Sequence, residues 1–178
     1  LEVSGYPYVT VGTVLGWARK QGEVPFLLAL DHLQDPHNLG ALLRTADAVG
    51  VHGVIVPGRR AVGVTPAVVG ASAGASEHLR VAQITNLAQT LDMLKAAGIW
   101  VVGLDSDPSV RSFEKVDLDM QLVLVVGAEG TGLSRLTRRT CDILMRLPMR
   151  GQMESLNVSV AGGVVLYAAL ASRGFSAE

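Results

Sequence analysis

The chain has 178 residues, 49% of them hydrophobic and 17% charged; that length suits one globular domain, and that composition excludes an intrinsically disordered chain. The formal net charge of −1 argues against a protein that coats nucleic acid through bulk charge. The lone cysteine, Cys141, excludes an internal disulfide and fits a reducing, cytoplasmic compartment.

Mean hydropathy is high, +0.36, yet the apolar run Val160–Ala171 covers only 12 residues and contains Gly162-Gly163. A membrane span needs about 20. Charge is unevenly placed: Arg135, Arg138, Arg139, Arg146 and Arg150 share one stretch with a single acid, Asp142, which reads equally as a solvated face or as a surface for phosphates.

In chain order, residues 1–25 open on Leu1 rather than Met and are broken by Gly5, Pro7, Gly12, Gly16, Gly22 and Pro25. They read as a linker from an upstream part of a longer protein, with one short helix around Val14–Lys20, and the domain is expected over residues 26–178. Phe26–Leu30, an apolar run ending in Asp31, predicts a buried strand. Leu39, Leu42, Leu43, Ala46 and Val49 recur at helical spacing behind Asn38, which suits an N-cap, and Gly50 closes that helix. Gly53–Pro57 predicts a strand, and Thr65-Pro66 an N-cap with proline in the first turn. Strand Arg80–Ile84, helix Thr85–Ala97 and strand Ile99–Leu104 follow, and the acid-rich Asp105–Asp119 predicts a surface excursion. Strand Leu122–Val126, helix Leu133–Thr140, strand Ile143–Leu147 and a terminal helix Leu156–Ala171 complete the chain.

Near-continuous apolar strands alternating with helices predict an α/β fold whose mainly parallel sheet carries helices on both faces. Ligands of such sheets bind beyond the carboxyl ends of the strands. Three loops fall there: Asp35–Gly40, Gly127–Gly132 and Pro148–Asn157.

The glycines of the second loop run G-x-x-G-x-G, the reverse of the dinucleotide fingerprint, and Leu133 stands where a phosphate loop needs lysine. What remains is a loop that lets a flat, uncharged ligand approach the backbone, with Glu129 offering an acceptor. In the third loop Leu147, Met149 and Leu156 suit an apolar slot whose backbone groups read a heterocycle's edge. Ser155 and Asn157 stand where a helix begins, and for Asn157 capping is the simpler role. Arg44 lies two turns into the first-loop helix beside apolar neighbours, as a snorkelling arginine also would. No metal is expected, because His32, His52 and His78 lack ligand spacing and Cys141 is alone. No G-x-S-x-G elbow supports a serine hydrolase.

Taken together the three loops are specific. Asp35-Pro-His-Asn-Leu-Gly-Ala-Leu-Leu-Arg-Thr-Ala-Asp-Ala, Leu124-Val-Val-Gly-Ala-Glu-Gly-Thr-Gly-Leu, and Leu147-Pro-Met through Ser155-Leu-Asn-Val-Ser-Val-Ala resemble the three motifs of the SpoU class of SPOUT RNA methyltransferases. The resemblance spans residues 26–172 and is strongest to bacterial members that methylate a guanosine ribose 2′-oxygen of 23S ribosomal RNA. It implies an S-adenosylmethionine-dependent enzyme with a deep C-terminal trefoil knot, a topology that general fold rules disfavour. It also implies an RNA-binding homodimer held by the Leu39–Val49 helix and the last helix, where Ala161, Gly162, Gly163, Ala168, Ala169 and Ala171 make a smooth surface.

By motif position Gly127, Leu147 and Leu156, with Ala128 and Met149 beside them, match the family's cofactor-binding residues. Asn38, Arg44, Glu129, Ser155 and Asn157 match its polar catalytic residues. Arg150-Gly151-Gln152-Met153-Glu154 is bulkier and more charged than the usual third loop. Residues 1–25 resemble the end of the linker that follows an N-terminal RNA-binding domain in ribosomal members. A transfer-RNA ribose methyltransferase and a non-catalytic RNA-binding homologue are the alternatives, and the intact set Asn38, Arg44 and Asn157 argues against the second.

The chemistry so implied is an in-line displacement that destroys the sulfonium charge, so an apolar slot favours its transition state. Holding the attacking hydroxyl in line supplies much of the rate. Arginine stays protonated in proteins, so Arg44 reads as a phosphate clamp that positions the ribose, not as a free base.

Overall fold

The computed structural model describes residues 5–175. Seven strands, β1 (Phe26–Asp31), β2 (Gly53–Pro57), β3 (Val81–Ile84), β4 (Trp100–Leu104), β5 (Arg111–Ser112), β6 (Leu122–Gly127) and β7 (Ile143–Arg146), form one sheet in the order β3-β2-β1-β6-β4-β7-β5. Every pairing is parallel. The helices are α1 (Val11–Gln21), α2 (Pro36–Ala48), α3 (Pro66–Ala71), α4 (Leu87–Ala96), α5 (Arg135–Thr140) and α6 (Val158–Ser172).

Side chains alternate across each strand, which splits the core into two layers. Leu28 and Leu30 of β1, Val54 and Val56 of β2, and Leu122, Leu124 and Val126 of β6 pack with α2, α3 and α6. Leu27, Ala29, Ile55, Val101, Val123 and Val125 pack on the other face with α1 and α4. Each of the wholly buried leucines contributes about 2 kcal/mol relative to an exposed one. The α/β sandwich read from the sequence is the fold observed.

β1 feeds β2 and β3 on one side, while the chain after β6 goes on to β7 on the other. The carboxyl ends of β1 and β6, Asp31 and Gly127, are register partners. They form the point where the winding direction reverses, and that is where an open α/β sheet makes its crevice.

Residues 6–25 differ from the expected linker, because they are packed into the domain. Thr10 caps α1, and Val14 and Ala18 are wholly buried. A Cβ on Gly53 would overlap the Val14 side chain, so β2 begins with glycine where α1 crosses it. Tyr6 Oη donates to the Ser76 carbonyl (2.6 Å), and Tyr8 Oη accepts from Val64 N–H (2.9 Å). The glycines that break the apolar period here sit on the exposed side of α1, as Gly12 and Gly16 do, or end it, as Gly22 does at φ +66°.

The acidic excursion 105–119 is also more than surface. It holds β5, which pairs with β7, and it buries Val116 and Leu118. Part of the arginine cluster secures it: Arg138 donates to Asp105 (2.6 Å) and Asp107 (3.1 Å), and Arg146 Nε donates to the Val110 carbonyl (3.1 Å). Arg135, Arg139 and Arg150 remain exposed. No helix among the described residues is long and apolar enough to cross a membrane.

Candidate active site

The first loop ends in a helix start that differs by three residues from the expected one. Asp35, not Asn38, caps α2: its carboxylate accepts from His37 N–H (3.2 Å) and Asn38 N–H (3.3 Å), with Pro36 in the first turn. Aspartate followed by proline makes the stronger start signal, and its use frees the Asn38 side chain. Asn38 is buried and turns its amide toward the other two loops.

There it joins a closed triangle. Asn38 Nδ2 donates to Glu129 Oε2, Asn157 Nδ2 donates to Glu129 Oε1, and Asn157 Nδ2 also donates to Asn38 Oδ1, each at 3.0 Å. Asn157 caps a helix and joins the triangle at once. Its Oδ1 caps α6 by accepting from Ser159 N–H (3.0 Å), Ser159 Oγ (2.6 Å) and Val160 N–H (3.3 Å), while its amide nitrogen serves the triangle. One residue from each loop is thereby locked to the other two, although 91 and 119 residues separate Asn38 from its partners.

The second loop turns tightly on itself. Ala128 N–H donates to Gly132 O (3.1 Å), and Gly132 N–H returns the bond to Ala128 O (2.8 Å). A Cβ on Gly127 would overlap the Gly132 carbonyl and the Leu133 nitrogen, so the loop's own backbone fills the space that glycine leaves. Gly130 (φ +80°) and Gly132 (φ +67°) supply the left-handed turn. The expected approach of a ligand to these glycines is thus, at Gly127, an approach by the loop itself; Glu129, Gly130, Thr131 and Gly132 stay exposed and Ala128 partly so.

The third loop has little to hold it. Among the described residues no backbone hydrogen bond ties residues 148–156 to the rest of the chain. Leu147 is half-buried against the core and Met149 is half-buried, whereas Leu156 is 42% and Met153 72% exposed. Unpaired backbone groups beside uncovered apolar side chains are the donor set that a heterocycle with an apolar edge requires. Ser155 is exposed on this loop and stays outside the triangle.

Arg44 also lies outside it. The side chain is exposed on α2, and among the described residues it has no hydrogen-bond or ion-pair partner. Helical geometry turns it well away from Asn38, six residues earlier.

Two residues that the sequence reading did not assign to the site stand at the same edge. Asp31 is 1% exposed; its Oδ2 accepts from Ser134 N–H (2.6 Å), and its Oδ1 meets His32 Nδ1 at 2.5 Å. His32 takes a left-handed backbone, φ +58°. With Leu33, Gln34, Asp35, Ala128, Glu129 and Thr131 it lines a cavity of about 310 Å³. An aspartate ending an apolar strand, followed by a histidine, was the available signal. Near Asp31, burial above all, with Asp142 and Asp31 adding, pushes the Cys141 thiol up to about 12.

Residues 25–167 match the SpoU rRNA methylase family. YacO of Bacillus subtilis, assigned to the TrmH family of tRNA/rRNA methyltransferases, is 50% identical over 166 residues, which cover 93% of this chain and 66% of YacO. This chain therefore spans about two thirds of that relative's length. The SpoU methyltransferase AviRb from Streptomyces viridochromogenes, solved in complex with AdoMet, superposes with a TM-score of 0.78 at 31% identity, over 84% of this chain and 61% of AviRb. The A. aeolicus TrmH/SpoU tRNA modifying enzyme gives 0.76 at 31% identity, over 85% and 76% of the two chains. With three interlocked loops at the sheet's switch point and these relatives, the chain belongs to the SpoU rRNA methylase family.

Proposed function

We propose that this domain transfers a methyl group from S-adenosylmethionine to a ribose 2′-hydroxyl of RNA, with a guanosine of 23S ribosomal RNA as the acceptor. The observation that carries this reading is the Asn38–Glu129–Asn157 triangle, which joins all three family loops in one polar cluster beside an open cavity.

The residues present fit the cofactor. The free backbone of 148–156 and the uncovered Leu156 suit an adenine edge. Leu147, Met149 and Leu156 would hold the cofactor from the third loop, with Gly127 and Ala128 from the second. S-adenosylmethionine supplies an electrophilic methyl on a sulfonium. Around it the apolar side chains withhold the solvation a sulfonium would enjoy in water, and that favours loss of the charge. Asn38 and Asn157, fixed against Glu129, orient the ribose, and Ser155 adds a hydroxyl at the mouth of the loop. Arg44 grips a backbone phosphate with its planar fork. No metal takes part.

The active form is a homodimer. α6 is apolar nearly all round, and it packs on α2 through a close contact: a Cβ on Gly162 would come within 2.6 Å of Leu42 Cδ2. The smooth surface of Gly162 and Ala169 is therefore spent inside the chain, and the opposite stripe, Val160, Val164 and Tyr167, stays 43–54% exposed. A second copy covers that stripe and brings its own Arg44-bearing α2 close to the first site. β6 and β7 both enter the sheet between strands formed earlier in the chain, which supports a C-terminal trefoil knot. An RNA-binding domain upstream of Leu1 selects the RNA, and the enzyme works in the cytoplasm.

The test is methyl transfer by the full-length protein to ribosomal and transfer RNA from cells lacking it, with methylated positions mapped by resistance to alkaline cleavage. A single ribose-methylated guanosine in 23S RNA is expected. Methylation confined to a transfer RNA would move the substrate, and a methylated base would overturn the ribose assignment. Calorimetry with cofactor, repeated with chelator, checks the metal-free claim, and light scattering of the domain should exceed the 18.7 kDa of one chain.

A further inference from the structure

Methyl transfer to a hydroxyl must dispose of a proton, and the residues assigned so far offer no base for it. Arginine stays protonated in proteins. Both Glu129 oxygens hold amide N–H groups of the triangle, and both Asp35 oxygens cap α2, so a proton taken by either would compete with a bond that holds the site together. One group at this edge is differently arranged. Asp31, buried with one oxygen on Ser134 N–H, presents the other to His32 Nδ1. A carboxylate so placed fixes the proton on Nδ1 and leaves Nε2 as the free lone pair. His32 lines the cavity it shares with Glu129, and it is held there in a left-handed backbone that a non-glycine residue adopts only against strain.

We propose that His32 is the proton acceptor for the RNA hydroxyl and Asp31 its positioning residue; this rests on the ribose reading above. The hydroxyl proton passes to His32 Nε2 and the oxygen's electron pair forms the new O–CH3 bond. The S–CH3 bond breaks, with its pair going to sulfur. The imidazolium then gives its proton to water through the open cavity. The charged groups facing His32 are Asp31 from β1, Asp35 at the start of α2 and Glu129 after β6; all are acids and complement the imidazolium. Cys141, behind Asp31, stays a neutral thiol.

The deciding experiment is single-turnover methyl transfer by the full-length protein to ribosomal RNA from cells lacking it, across roughly pH 5 to 9, with NMR of the His32 ring and cofactor titration alongside. The wild-type rate should rise with pH and then level off. His32→Gln should lose about 100-fold at neutral pH and flatten that rise, with cofactor affinity unchanged. His32→Gly, which suits the left-handed backbone, should lose as much in a fold at least as stable. Asp31→Asn should change the His32 ring signals and the rate profile together. A His32→Gln enzyme with the wild-type rate and pH profile would overturn the base assignment and leave the ribose reading standing. Wild-type protein that forms no alkali-resistant product at any pH would overturn both.

Discussion

The two edges of the parallel sheet handle polarity in opposite ways. At the amino ends of the strands, side chains are tied to backbone. Arg173, at the end of α6, donates to the carbonyls of Val24 (3.0 Å), Pro25 (3.3 Å) and Met120 (2.5 Å) and lies 4.5 Å over the Phe26 ring. His52 Nδ1 accepts from Phe26 N–H (3.0 Å), and its Nε2 meets Glu23 (2.9 Å). At the carboxyl ends, Asn38, Glu129 and Asn157 are tied mainly to one another beside a cavity. Backbone partners cannot leave without unfolding, so the first edge is a seam. Side-chain partners can exchange one bond for another, so the second edge can admit a substrate while its members stay in place.

That contrast separates rate from stability, and substitutions at the two edges should diverge. Arg44 should give the largest effect. Arg44→Ala should lower single-turnover methyl transfer about 1000-fold and move stability by no more than about 0.5 kcal/mol, since the side chain is exposed. Arg44→Lys should remain badly impaired, because a point charge lacks the planar fork. Cofactor titration and thermal melts serve as controls, and near-wild-type rates for Arg44→Ala would defeat the assignment.

Asn157 belongs to both kinds of contact, and two substitutions divide them. Asn157→Asp keeps a capping oxygen for α6 but loses the amide donor and sets a second carboxylate against Glu129. It should cut methyl transfer about 100-fold with little change in melting. Asn157→Ala removes the cap as well and should cost about 1 kcal/mol in urea unfolding. Equal rates for Asp and wild type would show that capping is the residue's whole role.

At the seam the pattern should invert. Burial holds the Arg173 guanidinium below its ordinary value, with Asp119 and Glu23 opposing that shift. Arg173→Met leaves three carbonyls without their donor and should cost about 2 kcal/mol of stability. The rate per folded molecule should be unchanged. The smallest effect concerns Cys141, whose thiol is raised from 9.0 to about 12 by burial first. The unfolded chain loses this proton at lower pH than the folded one, so stability should fall as pH rises through that window. Urea unfolding at about pH 8 and about pH 10 should show a drop that Cys141→Ala reduces.

Strand and helix identities were legible because period 2 and period 3.6 patterns report local geometry directly. β1, β2, β6 and α4 lie within a residue or two of their expected bounds. Residues 6–25 were not legible as part of the domain. Their glycines hide the apolar side of α1, and only the matching gap at Gly53 in β2 shows what Val14 packs against. The 105–119 excursion misled in the same way: its acids dominate the composition, yet Asp105 and Asp107 pair with Arg138 and so keep Val116 and Leu118 in the core. The polar residues Asn38, Glu129 and Asn157 were singled out through motif resemblance, and the structure brings them together, whereas Asp31 and His32 carry no motif and stand out only beside the cavity.

The sequence by itself determined the α/β class, the three loops and the family, since each rests on local spacing or on residue identity. Tertiary structure decided what those residues do for one another. It tied Asn38 to Glu129 and Asn157, gave Asn157 partners on two sides, and set Asp31 against both Ser134 and His32. Hydrogen bonds between residues 91, 103 and 119 positions apart depend on strand order and register. Those follow from which faces the whole chain can bury at once, a quantity that no local stretch of sequence contains.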